Sequence, residues 1–332
     1  MAIRKGPLSK PSSASDVFSV TDMTSSEGTK YTTGFKSDLF ISKQKGSSSD
    51  WRVIDRAREM GRGRPPISGY ANDAYDVAVL RTNTSNSKFD SGQYWSFDNT
   101  GFVQDGASVG AGYIGYNWRM APSYLDVVPY QGNASNRQIV HNLGVVPEMV
   151  WVKCITDSAN WFVYHKDLDA SNPGTKYMEL NSTAAANTSN EVWNGGNYPE
   201  GHNASTFNIG ANNNVNKAGE LFVAYLWATA AGVSKVGSYS GNSGTQTIDC
   251  GFSNGAKFVW VKRINGGTEW WVLDTVRGIA VGNDNIIAFN KADAEVTNGD
   301  FIDPHSSGFT LDTSNADFNV SGGDYIFYAV AT

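Results

Sequence analysis

The chain has 332 residues, a formal net charge of −6 at pH 7 and only 17% charged residues, so Ser, Thr, Asn and Gly must form much of its surface. An acidic balance without a broad basic field argues against nucleic-acid binding. The sequence has no apolar run of the ~18 residues that a membrane-spanning helix needs. Its first residues, MAIRKGPLSKPSS, lack the apolar core of a secretory signal peptide. We therefore expect no membrane insertion.

Residues 1–30 do not share the pattern of the rest of the chain. They are rich in Ser, Thr and Lys, and their apolar residues are isolated; the candidates for contacts are Ile3, Leu8, Val17 and Phe18. A segment of this composition cannot bury a core of its own. We predict an extended N-terminal arm that becomes ordered against another protein or a sister subunit, in a homo-oligomer.

Beyond the arm, lysine and tryptophan recur with one spacing. A lysine is followed eight residues later by a tryptophan in three places: Lys43 and Trp51, Lys153 and Trp161, and Lys262 and Trp270. A repeat of about 110 residues is long enough for each copy to hold its own core. The sequence therefore predicts three tandem modules, at residues 31–130, 131–236 and 237–332.

The repeated segments have the composition of β-strands. They are short, rich in Val, Ile, Trp, Tyr and Phe, and bounded by Gly, Asn, Ser or Asp. We predict an all-β chain of antiparallel β-sandwich or jelly-roll-like modules. Within one strand, Val150 and Val152 face the core, and Trp151 and Lys153 face the other way. We expect this second face to be half-covered, with the lysine amine in water.

The sequence offers no catalytic or metal-binding motif. Its histidines do not cluster, the usual zinc and nucleophile motifs are missing, and no pair of carboxylates stands out. We expect no enzyme activity, no metal and no cofactor. The recurring pairs Asp55/Arg58 and Asp274/Arg277 are interpreted as structural pairs that close a turn. Cys154 and Cys250 are interpreted as free thiols.

One loop, at residues 191–202, places aromatic side chains among glycines and asparagines. Exposed aromatic rings can stack on sugars, and amides can bind hydroxyl groups. The loop therefore gives the candidate glycan-binding residues, which are Trp193, Asn197, Tyr198 and His202. The alternative is that its aromatic residues fold back onto their own module or onto a neighbouring subunit.

Three segments carry a resemblance to a known family. They are VPEMVWVK at residues 146–153, WVLDTVRG at 271–278 and SGFTL at 307–311. Together with the closing strands at 110–118, 219–227 and 323–331, they resemble a module repeated in structural proteins of marine tailed phages, including cyanophages. The resemblance covers about residues 31–332 and is weakest in the first module, where Ile41 replaces the first tryptophan.

The resemblance implies a lectin-like β-sandwich without catalytic residues. The expected function is that of a non-enzymatic virion protein, a tail-fibre or appendage protein that binds other virion proteins through its arm and can adhere to host surface glycans. Two alternatives stay open: a head decoration or connector protein, and a carbohydrate-active depolymerase on the same scaffold.

Overall fold

The computed structural model describes residues 9–24, 28–58, 77–91, 95–104, 112–194 and 201–332, and these residues form antiparallel β-sheets with very little helix. The predicted fold class, antiparallel β-sandwiches, is confirmed. Among the described residues, no helix is long and apolar enough to span a membrane.

The first set of sheets contains nine strands in chain order. They are β1 (Phe18–Met23), β2 (Thr29–Thr32), β3 (Leu39–Gln44), β4 (Arg52–Asp55), β5 (Val77–Val79), β6 (Phe89–Ser91), β7 (Trp95–Phe97), β8 (Gly101–Gln104) and β9 (Tyr113–Trp118). Two 3₁₀ helices, Ala14–Asp16 and Arg56–Arg58, precede β1 and follow β4. The larger sheet has the order β1-β9-β3-β4, and the smaller sheets are β2-β8-β7 and β5-β6.

The second set contains eight strands. They are β10 (Leu125–Gln131), β11 (Arg137–Val140), β12 (Met149–Cys154), β13 (Phe162–His165), β14 (Lys176–Glu179), β15 (Asn187–Thr188), β16 (Thr206–Ile209) and β17 (Leu221–Trp227). A 3₁₀ helix at Pro173–Thr175 and helix α1 at Asn213–Asn216 lie between strands. The sheets have the orders β10-β17-β12-β13-β14-β15 and β11-β16.

The third set contains nine strands. They are β18 (Ser234–Ser240), β19 (Gln246–Asp249), β20 (Ala256–Arg263), β21 (Trp271–Asp274), β22 (Asp284–Ala288), β23 (Val296–Gly299), β24 (Ile302–His305), β25 (Gly308–Leu311) and β26 (Asp324–Ala331). The sheets have the orders β18-β26-β20-β21-β22-β23 and β19-β25-β24.

The three larger sheets share one topology. In each set the first strand pairs with the last strand, as β1 does with β9, β10 with β17 and β18 with β26. The last strand also pairs with a central strand, which is β3, β12 or β20. The central strand in turn pairs with the strand that follows it in the chain. The repeated lysines have the same position in the central strands, where the register pairs Lys43 with Ile114, Lys153 with Val223 and Lys262 with Ile326. We call the three sets module 1 (residues 14–118), module 2 (125–227) and module 3 (234–331), joined by linkers 119–124 and 228–233.

These boundaries differ from the predicted ones at the N-terminal side. Val17 and Phe18, assigned to the arm, are buried at 2% and 1% exposure, and Phe18 starts strand β1. The ring of Phe18 packs 5.1 Å from that of Trp118 and 5.2 Å from that of Phe258. The arm prediction is therefore wrong for these two residues, because their side chains belong to the core. Ile3 and Leu8 lie outside the described residues.

The two faces of the central strands have different neighbours. Val150 and Val152 pack in a cluster inside module 2 with Phe207, as the alternation predicted. Trp151, on the opposite face, belongs to a second cluster that includes residues of all three modules. Lys153 on that face is 0% exposed. The expectation of an amine in water is wrong, because a neighbouring module covers this face completely.

Candidate functional site

The repeated lysines lie at the junctions between modules. Each is fully buried, and each amine donates a hydrogen bond to a backbone carbonyl of another module. The bonds are Lys153 Nζ to Ser85 O at 2.9 Å, Lys262 Nζ to Thr183 O at 2.9 Å, and Lys43 Nζ to Ala292 O at 2.7 Å. Module 2 thus contacts module 1, module 3 contacts module 2, and module 1 contacts module 3.

Each lysine also binds its own module. Lys153 donates to Ala159 O at 2.6 Å and Lys262 donates to Thr268 O at 2.7 Å, whereas Lys43 donates to Ser49 Oγ at 3.4 Å. Burial lowers the pKa of each of the three amines from 10.5 to about 8. At neutral pH the ammonium groups are charged, and carbonyl oxygens replace their water.

The repeated tryptophans make the second contact across each junction. The indole N–H groups donate to backbone carbonyls: Trp51 to Ala288 at 2.7 Å, Trp161 to Arg81 at 2.7 Å, and Trp270 to Glu179 at 3.1 Å. All three tryptophans are 0% exposed, so they also pack within the junctions. Each lysine and tryptophan together hold one loop of another module, and we call the pair a clamp.

An asparagine lies in the middle of each clamped loop. The loops are 81–85, 179–183 and 288–292, and their asparagines are Asn83, Asn181 and Asn290. The side-chain oxygen of each asparagine accepts the backbone N–H of the tryptophan in its own module, at 3.2, 2.9 and 3.0 Å. Each module therefore has its clamp tryptophan bonded to its own asparagine loop. That loop is in turn held by the clamp of another module.

Two junctions also contain a buried Asp–Arg–Tyr cluster. Asp55 accepts hydrogen bonds from Arg58 Nε at 2.7 Å and from the hydroxyl of Tyr225, in module 2, at 2.6 Å. Asp274 accepts from Arg277 Nε at 2.6 Å and from the hydroxyl of Tyr116, in module 1, at 2.8 Å. The interpretation of both Asp–Arg pairs as structural is confirmed, and each pair also fixes a tyrosine of another module.

The junction between modules 2 and 3 lacks this charged cluster. His165 and Leu168 have the positions of the aspartate and the arginine, and Tyr328 has the position of the tyrosine. His165 is fully buried, burial lowers its pKa to about 3, and its Nδ1 accepts the backbone N–H of Asp167 at 3.2 Å. This junction therefore depends on neutral side chains and on the clamp of Lys262 and Trp270.

The junctions form a closed cycle. In every case the clamp belongs to one module and the loop to another, which is the head-to-tail kind of interface that generates a ring when the rotation closes. Aromatic side chains of different modules meet in the middle, where the rings of Trp151 and Trp260 are 6.2 Å apart and those of Trp151 and Phe289 are 5.6 Å apart. The three modules are thus held as a ring by three similar junctions.

The predicted glycan-binding loop does not present its described aromatic candidates freely to solvent, because Trp193 and His202 pack against Tyr164. Trp193 is 1% exposed and packs with Tyr164 inside module 2. His202 lies edge-on to Tyr164, with ring centroids 4.2 Å apart, and burial lowers its pKa to about 3. Stacking of a sugar on Trp193 is therefore excluded in this conformation, because core residues cover its ring, whereas His202 is half-buried. Asn197 and Tyr198 lie outside the described residues.

A groove lies at the junction of modules 1 and 2. Its volume is about 520 Å³, and its walls include Ala57, Ala78, Tyr130, Leu221 and Phe222. The walls are largely apolar. The described residues contain no group of three or more His, Cys, Asp or Glu that could hold a metal ion.

Sequence comparison places residues 76–332 in the family described as Domain of unknown function (DUF7483). The match covers more than half of the chain, so this protein belongs to that family. No curated protein matches the sequence. The matched region includes modules 2 and 3 completely and the later strands of module 1.

The sequence identified the lysines and tryptophans of the clamps but not their partners. The clamped loops and the tyrosines of the closing strands also recur, and that recurrence was the available signal. The acceptors, however, are backbone carbonyls. Every residue type has one, so the acceptors cannot be recognised from the sequence. The cyclic order of the junctions could not be predicted for this reason.

Proposed function

We propose that this protein is a non-enzymatic structural component of a bacteriophage virion, a tail-fibre or appendage protein. The observation that carries the proposal is the use of the repeated residues. The lysines, the tryptophans and the two Asp–Arg pairs are buried and engaged at the module junctions. The repeated residues thus hold a ring together at its three junctions, which suits a building block.

The composition supports an environment outside the cell. A low fraction of charged residues, at 17%, and many Ser, Thr, Asn and Gly residues are typical of virion and extracellular β proteins. A virion protein is made in the cytoplasm and is exposed after lysis. This proposal is compatible with two thiols, Cys154 and Cys250, that are buried and not joined.

The partners in this proposal are other virion proteins and sister subunits. Residues 1–13 are the part of the predicted arm that lies before module 1, and we assign these contacts to them. A head decoration or connector protein is the alternative within the virion class. Adhesion to a host glycan would require a surface other than Trp193, whose ring is buried.

The test is the protein content of purified particles. Phage particles released from cells that carry the gene are banded by density and analysed by mass spectrometry, and a gold-labelled antibody locates the protein by electron microscopy. We expect a fixed copy number per particle and labelling at the tail. Labelling of the head would favour the decoration alternative, and recovery only from the soluble lysate would refute the virion proposal.

The enzymatic alternative needs a separate assay. Purified protein is incubated with polysaccharide extracted from the host surface, and new reducing ends are measured over time. We expect none above a heat-treated sample. Release of reducing ends that disappears when a single glutamate is replaced would identify a depolymerase and contradict the non-enzymatic assignment.

A further inference from the structure

We propose that this protein exchanges its third module with a second copy of the chain, so that module 3 of each molecule completes the ring of the other. The exchanged dimer would contain two rings, each with the same three junctions as the monomer. The inference rests on the junctions and linkers and does not depend on a role in a virion.

The first support is the connectivity of the ring. Linker 119–124 joins modules 1 and 2, and linker 228–233 joins modules 2 and 3. The junction between modules 3 and 1 has no linker, because module 1 precedes module 2 in the chain. Side-chain and backbone contacts alone hold it, including Lys43 to Ala292, Trp51 to Ala288 and Thr82 Oγ1 to Phe289 O at 2.6 Å.

The second support is the chemistry of the other junction of module 3. The aspartate and arginine that fix a tyrosine at the other two junctions are replaced by His165 and Leu168, which are buried at 0% and 6% exposure. Release of module 3 therefore separates only one Asp–Arg–Tyr cluster. Release of module 1 would separate two, those of Asp55 and Asp274, so module 3 is the module that leaves more easily.

The third support is the linker that must act as a hinge. Gly232 in linker 228–233 has a φ of +72°, and Ser123 has the same place in linker 119–124 with a φ of +61°. A glycine passes through other backbone conformations at little cost, whereas Pro122 beside Ser123 fixes its own φ. The linker before module 3 is therefore the more pliable of the two.

The surfaces exposed on opening are already complementary to a second copy. The clamp of Lys262 and Trp270 fits loop 179–183 of any copy, and loop 288–292 fits the clamp of Lys43 and Trp51. The linker keeps module 3 close to the other two modules of its own chain. The effective concentration of module 3 is therefore high, which favours closure within one chain. A second copy competes when the protein concentration is high while the rings are open, as during folding.

The experiment uses the full chain. Equal amounts of ¹⁵N-labelled and unlabelled protein are unfolded, mixed and refolded at a series of concentrations, and the products are separated by size and analysed by native mass spectrometry. We expect a dimer that contains one labelled and one unlabelled chain and whose fraction rises with concentration. Refolding that gives monomer alone at every concentration would overturn the proposal.

Three equivalent variants identify the module that moves. The isolated dimer is diluted, and its rate of return to monomer is measured for Trp51→Phe, Trp161→Phe and Trp270→Phe. Each change removes one indole N–H donor at one junction. We expect Trp51→Phe and Trp270→Phe to accelerate the return roughly fivefold and Trp161→Phe to leave it unchanged, because module 3 does not open the junction of modules 1 and 2.

Other patterns of rates contradict the proposal. Acceleration by Trp161→Phe and Trp51→Phe, but not by Trp270→Phe, would mean that module 1 moves, and equal rates for all variants would mean that no junction opens. The double change His165→Asp with Leu168→Arg, which supplies a charged pair for Tyr328, should slow the return. If Trp51→Phe does not fold, Thr82→Val replaces it, since it removes the hydrogen bond to Phe289 at the same junction.

Discussion

Trp161 in module 2 donates its indole N–H to the carbonyl oxygen of Arg81 in module 1, at 2.7 Å. Lys153, eight residues earlier, donates to the carbonyl of Ser85 on the other side of Asn83. The two donors hold one loop at both ends. The constant spacing of lysine and tryptophan is therefore the separation that this grip requires, and it explains why the spacing is the same at all three junctions.

Removal of one clamp lysine should destabilise the ring. In Lys153→Met, the carbonyl oxygens of Ser85 and Ala159 lose their donor in a buried site, and each unsatisfied group costs about 1–3 kcal/mol. Relief of the buried charge offsets part of this cost. We expect the free energy of unfolding at pH 7 to fall by about 1–3 kcal/mol in urea titrations. The matched control is the exposed Lys36→Met, which should change it little.

The same variant should reveal a pH dependence. The pKa of Lys153 is about 8 in the folded protein against an ordinary value of 10.5, so the unfolded chain binds more protons between these two pH values. The free energy of unfolding of the unmodified protein therefore gains a contribution as pH rises through this window. We expect its advantage over Lys153→Met to widen from pH 8 to pH 10. An advantage that stays constant or shrinks would show that the buried amine keeps its ordinary pKa.

The fold class could be predicted because strand composition and alternation carry it. Val150 and Val152 mark a core face, and the structure places them there. The opposite face, with Trp151 and Lys153, looked half-covered because alternation within one strand says nothing about a neighbouring module. A long amphipathic side chain such as lysine is also compatible with both a solvent-exposed and a buried surface.

The start of module 1 was missed for a different physical reason. Within the part of the chain that the structure describes, strand β1 pairs only with β9, through backbone hydrogen bonds. Its equivalents β10 and β18 pair in the same way but share no sequence motif with it. A strand at the edge of a sheet is specified mainly by its backbone and by a few buried side chains, here Phe18 and Met23. In the sequence, the repeat is therefore recognisable only from the first strand that carries a motif.

The charged cluster at the junction of modules 1 and 2 should be sensitive to the loss of one partner. Asp55→Ala leaves the guanidinium of Arg58 buried without its carboxylate, and such a change costs about 3–5 kcal/mol. The double variant Asp55→His with Arg58→Leu copies the neutral arrangement of His165 and Leu168. We expect it to lose less than half as much stability in the same urea titration. An equal loss in both variants would mean that packing, and not the unpaired charge, determines the effect.

Trp193 should contribute to stability and not to adhesion. Its side chain is buried beside Tyr164 and His202, so Trp193→Ala should lower the free energy of unfolding by about 3–5 kcal/mol, as large-to-small changes in a core do. The control is Val146→Ala, at a side chain that is 49% exposed, which should have almost no effect. Binding to host cells is measured at a temperature at which both variants are folded, and we expect it to be the same for both. Loss of binding by Trp193→Ala without loss of stability would contradict the buried position and would restore the loop at 191–202 as a glycan-binding site.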